Sequence, residues 1–326
     1  MKYFSLFVSV VFLLFMFSCS NPDIGTDQKS DDNELNKELA GIMEIYGQAV
    51  NSQGNDLELV GKFEKTLKNF DGKYGTSVYN DFAEYKNTNS KVYSSTGTSS
   101  YPALTNLPIN KDGAVYLSGG NDGAVSIIIS YVSPKATPGK FYHGAVLDIN
   151  KFDPTNLEGL CFQTAILKGA GFEKPIEWMK KPNVAVLNPN VTLDTVKLNN
   201  AQTALDYYCN PNNTNMKYGF FKDYVNIFSL VEKSDNYYWY CTKVVWRVYN
   251  LMGFDIDSNT SKVDWTTSGI YSLAKSYYNV RYFYSSSTAQ AKLNEYINNA
   301  KKTIVLAEEI YFSPYLTKIY EVVRSN

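Results

Sequence analysis

Tyr237-Tyr238-Trp239-Tyr240-Cys241-Thr242-Lys243-Val244-Val245-Trp246-Arg247-Val248-Tyr249 is the stretch on which the reading of the fold turns. Its second half carries a helical face. Val244, Val245, Val248, Leu251 and Met252 recur at steps of one, three and four, and Gly253 stops them. Cys241 stands where that helix begins. A helix N-terminus presents N–H groups without intrahelical acceptors, at the positive end of the dipole, and both features favour thiolate over thiol. The aromatic run before Cys241 reads as strand or pocket lining.

Working outward, the single His of the chain is His143, in Phe141-Tyr142-His143-Gly144-Ala145-Val146-Leu147. Strand alternation places it on one face with Ala145 and Leu147. An imidazole beside Cys241 would depress the thiol further and form the ion pair that thiol hydrolases use. A third group must then orient the imidazole. Gln163, on the strand pattern Leu160–Ile166, can accept a hydrogen bond through its amide oxygen and is the candidate. The plainer reading of the same residues is a hydrogen-bonded structural His and a Cys packed as a small hydrophobe.

Composition narrows the choice. A chain of 326 residues holds one large domain with appendages, or two. With 44% hydrophobic and 15% aromatic residues it can build a sizeable core, which excludes disorder throughout. A net charge of −1 argues against nucleic-acid binding driven by bulk charge. One His and four Cys with no C-x-x-C pair supply no zinc ligand set, so neither a metal nor a cofactor is expected. Gly119-Gly120 and Gly123 lack the rest of a phosphate loop, and Asp255 and Asp257 lack calcium-loop spacing and read as turn residues. Ser285-Ser286-Ser287 belongs to no serine-nucleophile motif.

The N-terminus reads as a targeting segment. Lys2 precedes the apolar run Phe4–Phe17, which is short for a membrane span and suits a secretory signal over residues 1–18. Ser18-Cys19-Ser20 resembles a bacterial lipobox, so Cys19 is the expected lipidation site and the membrane an expected partner. Localisation at the cell envelope, periplasmic or surface-exposed, follows as an expectation. Cys161, Cys209 and Cys241 remain, and whether Cys161 and Cys209 pair is open.

Residues 19–33 read as a tether, and 34–86 as helices. One face carries Leu35, Leu39, Ile42, Met43, Tyr46 and Val50; a second carries Val60, Phe63, Leu67 and Phe70; Val78, Phe82 and Tyr85 suggest a third helix. Residues 87–100, rich in Ser, Thr and Asn, read as a linker. The main domain is expected over 101–285. Its strand candidates are Ala114–Leu117, Val125–Tyr131, Phe141–Leu147, Leu160–Ile166 and Val184–Leu187, with a helix around Ala201–Tyr208. Residues 286–326 read as a C-terminal helical extension divided at Pro314. The mixture is α+β, mainly antiparallel.

From about Asn110 to Tyr278 the chain resembles the circularly permuted papain-like amidases, the YaeF/YiiX branch of the NlpC-type cysteine hydrolases. Lys111–Leu117 resembles the family's opening strand, Tyr142–Leu147 its His strand and Phe162–Ala165 its third-residue strand, where Gln163 stands in place of the usual acidic residue. Trp178 through Pro189 resembles a later core strand, Tyr240–Tyr249 the nucleophile helix, and Gly253–Asn259 the segment that closes it. His143 precedes Cys241, the reverse of the standard papain-like order, which marks the permutation.

The resemblance implies a permuted papain-like fold with an antiparallel sheet, a nucleophile helix and an added N-terminal helical segment. It implies an extracytoplasmic cysteine peptidase or amidase cleaving an amide in a peptidoglycan peptide or a lipid-like substrate. Cys241 would be the nucleophile, His143 the base and Gln163 the orienter, with the Cys241 N–H, Tyr240 or Tyr218 as oxyanion or substrate contacts. A permuted acyltransferase or lipid hydrolase, like the lecithin:retinol acyltransferases, is the neighbouring expectation. Against it, Tyr240 and Thr242-Lys243 flank the Cys where those enzymes carry Asn and Glu-His. A catalytically silent binding protein on the same scaffold is the third.

Overall fold

The computed structural model describes residues 27–52, 56–89, 101–119, 124–132, 135–136, 140–165, 171–208 and 216–324. The expected signal segment, Cys19, Cys209 and most of the expected linker lie outside them. Among the described residues no helix is long and apolar enough to cross a membrane.

The architecture is α+β around a six-stranded antiparallel sheet. The strands are β1 (Val115–Gly119), β2 (Lys135–Ala136), β3 (His143–Leu147), β4 (Phe162–Thr164), β5 (Gly171–Glu173), β6 (Asn183–Pro189), β7 (Lys217–Tyr218), β8 (Tyr238–Trp239), β9 (Val263–Asp264) and β10 (Leu316–Val323). The main sheet runs β10-β6-β1-β3-β4-β5, while β2 pairs with β9 and β7 with β8. One face of the sheet collects Tyr116, Ala145, Leu147, Phe162, Val184 and Val186 around the buried Trp178. The central strands are buried on both faces, β1 and β4 throughout, so their burial shows no alternation.

On the other face lies the helix Cys241–Leu251. Gly144 lets it approach: a Cβ there would lie 3.3 Å from Thr242 Cγ2 and 3.5 Å from Val245 Cγ2. Tyr249 Oη donates to Gly113 O at 2.6 Å and ties the far end of the helix to the turn before β1. Gly119 is under tighter constraint, since a Cβ there would fall 1.9 Å from Lys140 O, on the approach to the His143 strand. Gly119→Ala must therefore push β1 and the start of β3 apart. The expected loss is at least about 2 kcal/mol, read as a lower urea midpoint at unchanged slope.

Several expectations are corrected. Val125–Tyr131 is not a strand but the helix Ser126–Val132. It is buried on almost every side, so its apolar run carries no period that separates helix from strand. The first described helix begins at Asp27, inside the expected tether. The C-terminal segment is not wholly helical. After the helices Ser286–Thr303 and Ala307–Tyr311 it ends in β10, the edge strand beside β6. Mostly exposed or half-buried on both faces, β10 shows no alternation in sequence, and a register shift at Lys318/Tyr320 blurs it further.

From Leu39 onward the chain clusters as one compact unit. The helices Leu57–Tyr74 and Val78–Asn89 belong to it. Phe82 meets Tyr131 edge-on at 5.1 Å, Tyr131 Oη donates to Val78 O at 3.2 Å, and Tyr85 Oη lies 2.8 Å from Ser130 Oγ.

Candidate active site

Cys241 opens its helix behind Tyr240, whose extended backbone (φ −141, ψ 160) forms the N-cap without a side-chain cap bond. The first-turn N–H groups therefore gather around the thiol. Lys243, one turn in, is fully buried and bends back to the loop leading into the helix. Its Nζ donates to Glu232 O at 3.0 Å, Tyr238 O at 2.8 Å and Asp235 O. Burial pulls this amine down to about 8. A Lys on the apolar face of a helix is itself a signal in the sequence.

His143 begins β3. Its Nε2 lies 2.8 Å from Glu173 Oε2, and the ring is within hydrogen-bonding reach of the Cys241 thiol. With Nε2 engaged by the carboxylate, Nδ1 is the nitrogen left for sulfur. Trp178 stacks on the imidazole at 5.4 Å and 19°. Upstream, buried Glu308 accepts the N–H groups of Lys140 at 2.6 Å and Phe141 at 3.1 Å, which pins the approach to His143.

The electrostatics follow from three groups sharing one small space. Burial alone would lower the His143 pKa, but Glu173 and the Cys241 thiolate outweigh it and raise it to about 10. Burial alone would raise Glu173, yet the imidazolium holds it at about 2. Burial opposes the Cys241 thiolate as well. The imidazolium and the N–H groups of Gly144 and Thr242 overcome it and leave the thiol below its ordinary value. The three groups together favour an imidazolium beside a thiol that ionises more readily than a free one, with a carboxylate bracing the ring.

Gln163 is not the orienter. Register explains the correction. Gln163 pairs with Val146, so it points to the helix-covered face. Phe162 pairs with Leu147 on one side and Glu173 on the other, which puts Glu173 on the face of His143, Ala145 and Leu147. Gln163 Nε2 donates to Gln202 O at 3.0 Å, and its amide oxygen has no hydrogen-bond partner. Glu173 escaped notice because β5 is three residues long and carries no period.

The two tyrosine candidates separate. Tyr240 is buried, accepts the Val305 N–H at 3.1 Å through its hydroxyl and stacks on Phe220 at 4.3 Å, so it serves packing and not the thiol. Tyr218 does reach the site. β7 runs parallel to β8 with Tyr218 opposite Trp239, and its hydroxyl lies within hydrogen-bonding reach of Cys241. Burial and the neighbouring thiolate keep that hydroxyl protonated. Cys161 is a free thiol in the core under Trp178, raised to about 12 by burial.

Cys241 is 1% exposed, whereas the side chains of His143 and Glu173 are 14% and 18% exposed, so the site opens toward solvent on the imidazole side. Among the described residues no group of three or more His, Cys, Asp or Glu side chains is placed to hold a metal ion.

No family model matches the sequence, and no curated protein matches it. Among solved structures, the chain is similar to the crystal structure of metalloprotein yiiX from Escherichia coli O157:H7, DUF1105. The two are 15% identical, the alignment covers 66% of this chain and 99% of that one, and the TM-score is 0.38.

Proposed function

We propose that this protein is a cysteine hydrolase of permuted papain-like type that cleaves an amide bond outside the cytoplasm, held at the membrane through Cys19. One observation carries the chemistry: His143 stands between the Glu173 carboxylate and a thiol at a helix N-terminus. The location rests on the signal-like segment and Cys19 alone.

In the proposed reaction Cys241 Sγ attacks the carbonyl carbon as thiolate, and the C–O π electrons move onto oxygen. The Cys241 N–H and the Tyr218 hydroxyl are the donors placed for that oxyanion. As the C–N bond breaks, the His143 imidazolium gives its proton to the leaving nitrogen. The amine departs and a thioester remains. Neutral His143 then takes a proton from water, hydroxide adds to the thioester, and collapse returns Cys241 as thiolate beside imidazolium. Glu173 remains ionised throughout and keeps the ring in place.

Peptidoglycan stem peptides and N-acyl amides are the two substrate classes to screen, with Cys241→Ala as the control. Product release by the wild type, reduced by at least about 10⁴-fold in the variant, is the expected result. Equal turnover by both proteins would remove the thiol from the reaction. A Cys241 that alkylates like an ordinary thiol, whatever residue stands at 143, would move the search to binding partners.

A further inference from the structure

The N-terminal helix Asp27–Ser52 reaches the thiol through a relay of tyrosines. Tyr46 is buried, and its ring meets Phe221 edge-on at 5.7 Å and 89° and Tyr224 at 5.9 Å and 64°. Its neighbour Gly47 is where the helix presses on Tyr224, since a Cβ there would lie 2.7 Å from Tyr224 Cγ. Tyr224 in turn donates its hydroxyl to Tyr218 O at 2.9 Å. Tyr218 is the residue whose own hydroxyl reaches Cys241.

The backbone that makes this relay is strained. Asp223 and Tyr224 both have φ of 53°, and Gly219 has φ of 152°. Left-handed backbone costs an ordinary residue roughly 1–2 kcal/mol, and consecutive cases persist only where the surroundings over-determine them. Here the surroundings are visible. A Cβ on Gly219 would lie 2.7 Å from Tyr224 Oη, and one on Gly47 would meet the ring from the other end. Two glycines thus clamp one tyrosine, and the clamped hydroxyl holds the strand that carries Tyr218.

We propose that Tyr224, clamped by Gly47 and Tyr46 of the N-terminal helix, is a positioning residue that sets the Tyr218 hydroxyl against Cys241 Sγ. The helix thereby completes the active site, beyond any part it has as a spacer. The inference rests on the hydrolase reading above only in taking Cys241 as the reactive thiol.

The test needs no substrate. The pH dependence of Cys241 alkylation by iodoacetamide is measured on the full chain in detergent, with Cys161 and Cys209 followed by peptide mapping. Tyr218→Phe is expected to raise the apparent pKa of Cys241. Tyr224→Phe keeps the ring and removes one hydroxyl, and is expected to move the profile the same way by about half a unit, roughly a three-fold loss of thiolate at pH below the midpoint. The double variant should move no further than Tyr218→Phe alone, because the two hydroxyls act in series.

Gly47→Ala should shift the profile in the same direction. Gly41→Ala, on the same helix where a Cβ meets nothing within 4 Å, should leave it in place. An unmoved profile in folded Tyr224→Phe, or shifts that add in the double variant, would overturn the inference and leave the hydrolase reading standing. If the wild-type thiol is ordinary and indifferent to His143→Ala, both fall.

Discussion

Glu173→Gln is expected to slow alkylation of Cys241 at pH 7 by about ten-fold or more, the equivalent of one pKa unit. The carboxylate is the larger of the two charges that outweigh burial at His143. Without it, the imidazolium falls from about 10 toward and below its ordinary value of 6.5. Less imidazolium leaves the thiolate less support, so the Cys241 pKa rises. The pH range in which the pair exists therefore narrows from both ends. Iodoacetamide rates between pH 4 and 10, resolved by peptide mapping, read both limbs. His143→Ala should be at least as severe, and Gln163→Ala should leave both limbs in place.

The same pair bears on stability, with a sign that can be worked out. Glu173, depressed from 4.5 to about 2, stabilises the fold above pH 4.5, an effect lost as pH falls through 2. His143, raised from 6.5 to about 10, stabilises it below pH 6.5, an effect lost as pH rises through 10. The stability gap between wild type and Glu173→Gln should be widest between these ordinary values. A Glu173→Gln protein whose thiol titrates like the wild type would remove Glu173 from the site.

The second large effect lies away from the thiol. Lys233 Nζ pairs with the Asp257 carboxylate, whose side chain is fully buried, and Glu309 is buried beside them. Burial and the Asp257 charge push Glu309 up to about 9, so it stays protonated at neutral pH, while its Oε2 accepts the Leu306 N–H at 3.0 Å. One cation thus serves two carboxyls, and burial raises Asp257 above its ordinary value as well. Lys233→Met leaves Asp257 buried without its partner and is expected to cost about 3–5 kcal/mol at pH 7. The loss should shrink in acid, where Asp257 takes up a proton.

Glu309→Gln should act in the opposite sense. The native state keeps a proton that the unfolded chain releases between pH 4.5 and about 9, so wild-type stability drops as pH rises through that window. Gln has no such penalty. Its advantage should be absent at pH 4 and reach on the order of a few kcal/mol by pH 9. Urea unfolding at pH 5 and pH 8 checks both variants. A Lys233→Met protein within about 1 kcal/mol of wild type at pH 7 would show that the pair is solvated and carries little.

Residues close together in the chain were legible in it. Val244, Val245, Val248 and Gly253 announce a helix and its end, which makes Cys241 a helix-start thiol without reference to anything distant. Alternation in β3 likewise put His143 on the face of Ala145 and Leu147. These are properties of one element, set by its own repeat of 3.6 or 2.0 residues. Tyr218 came from the chain only as one candidate of two. Tyr240, adjacent to Cys241 in sequence, has equal standing there, and what separates it is its hydroxyl's contact with the Val305 N–H, a partner 65 residues away.

Features that depend on pairing between elements are absent from the local pattern. Gln163 and Glu173 are both polar residues on short strands, the first beside the His strand and the second one strand further out, and nothing local separates them. The choice is made by register, because a one-residue difference in pairing turns a side chain to the opposite face of the sheet. The same holds for β10, an edge strand recognisable only from its neighbour β6, and for Tyr224, which gains its place from distant Gly47 as well as from nearby Gly219. The chain alone gives the helix-start position of Cys241, its helix and the face of His143, since each follows from a local period. The carboxylate that braces the histidine, and the helix that completes the site, were decided by long-range packing, because contacts between elements leave no period in the chain.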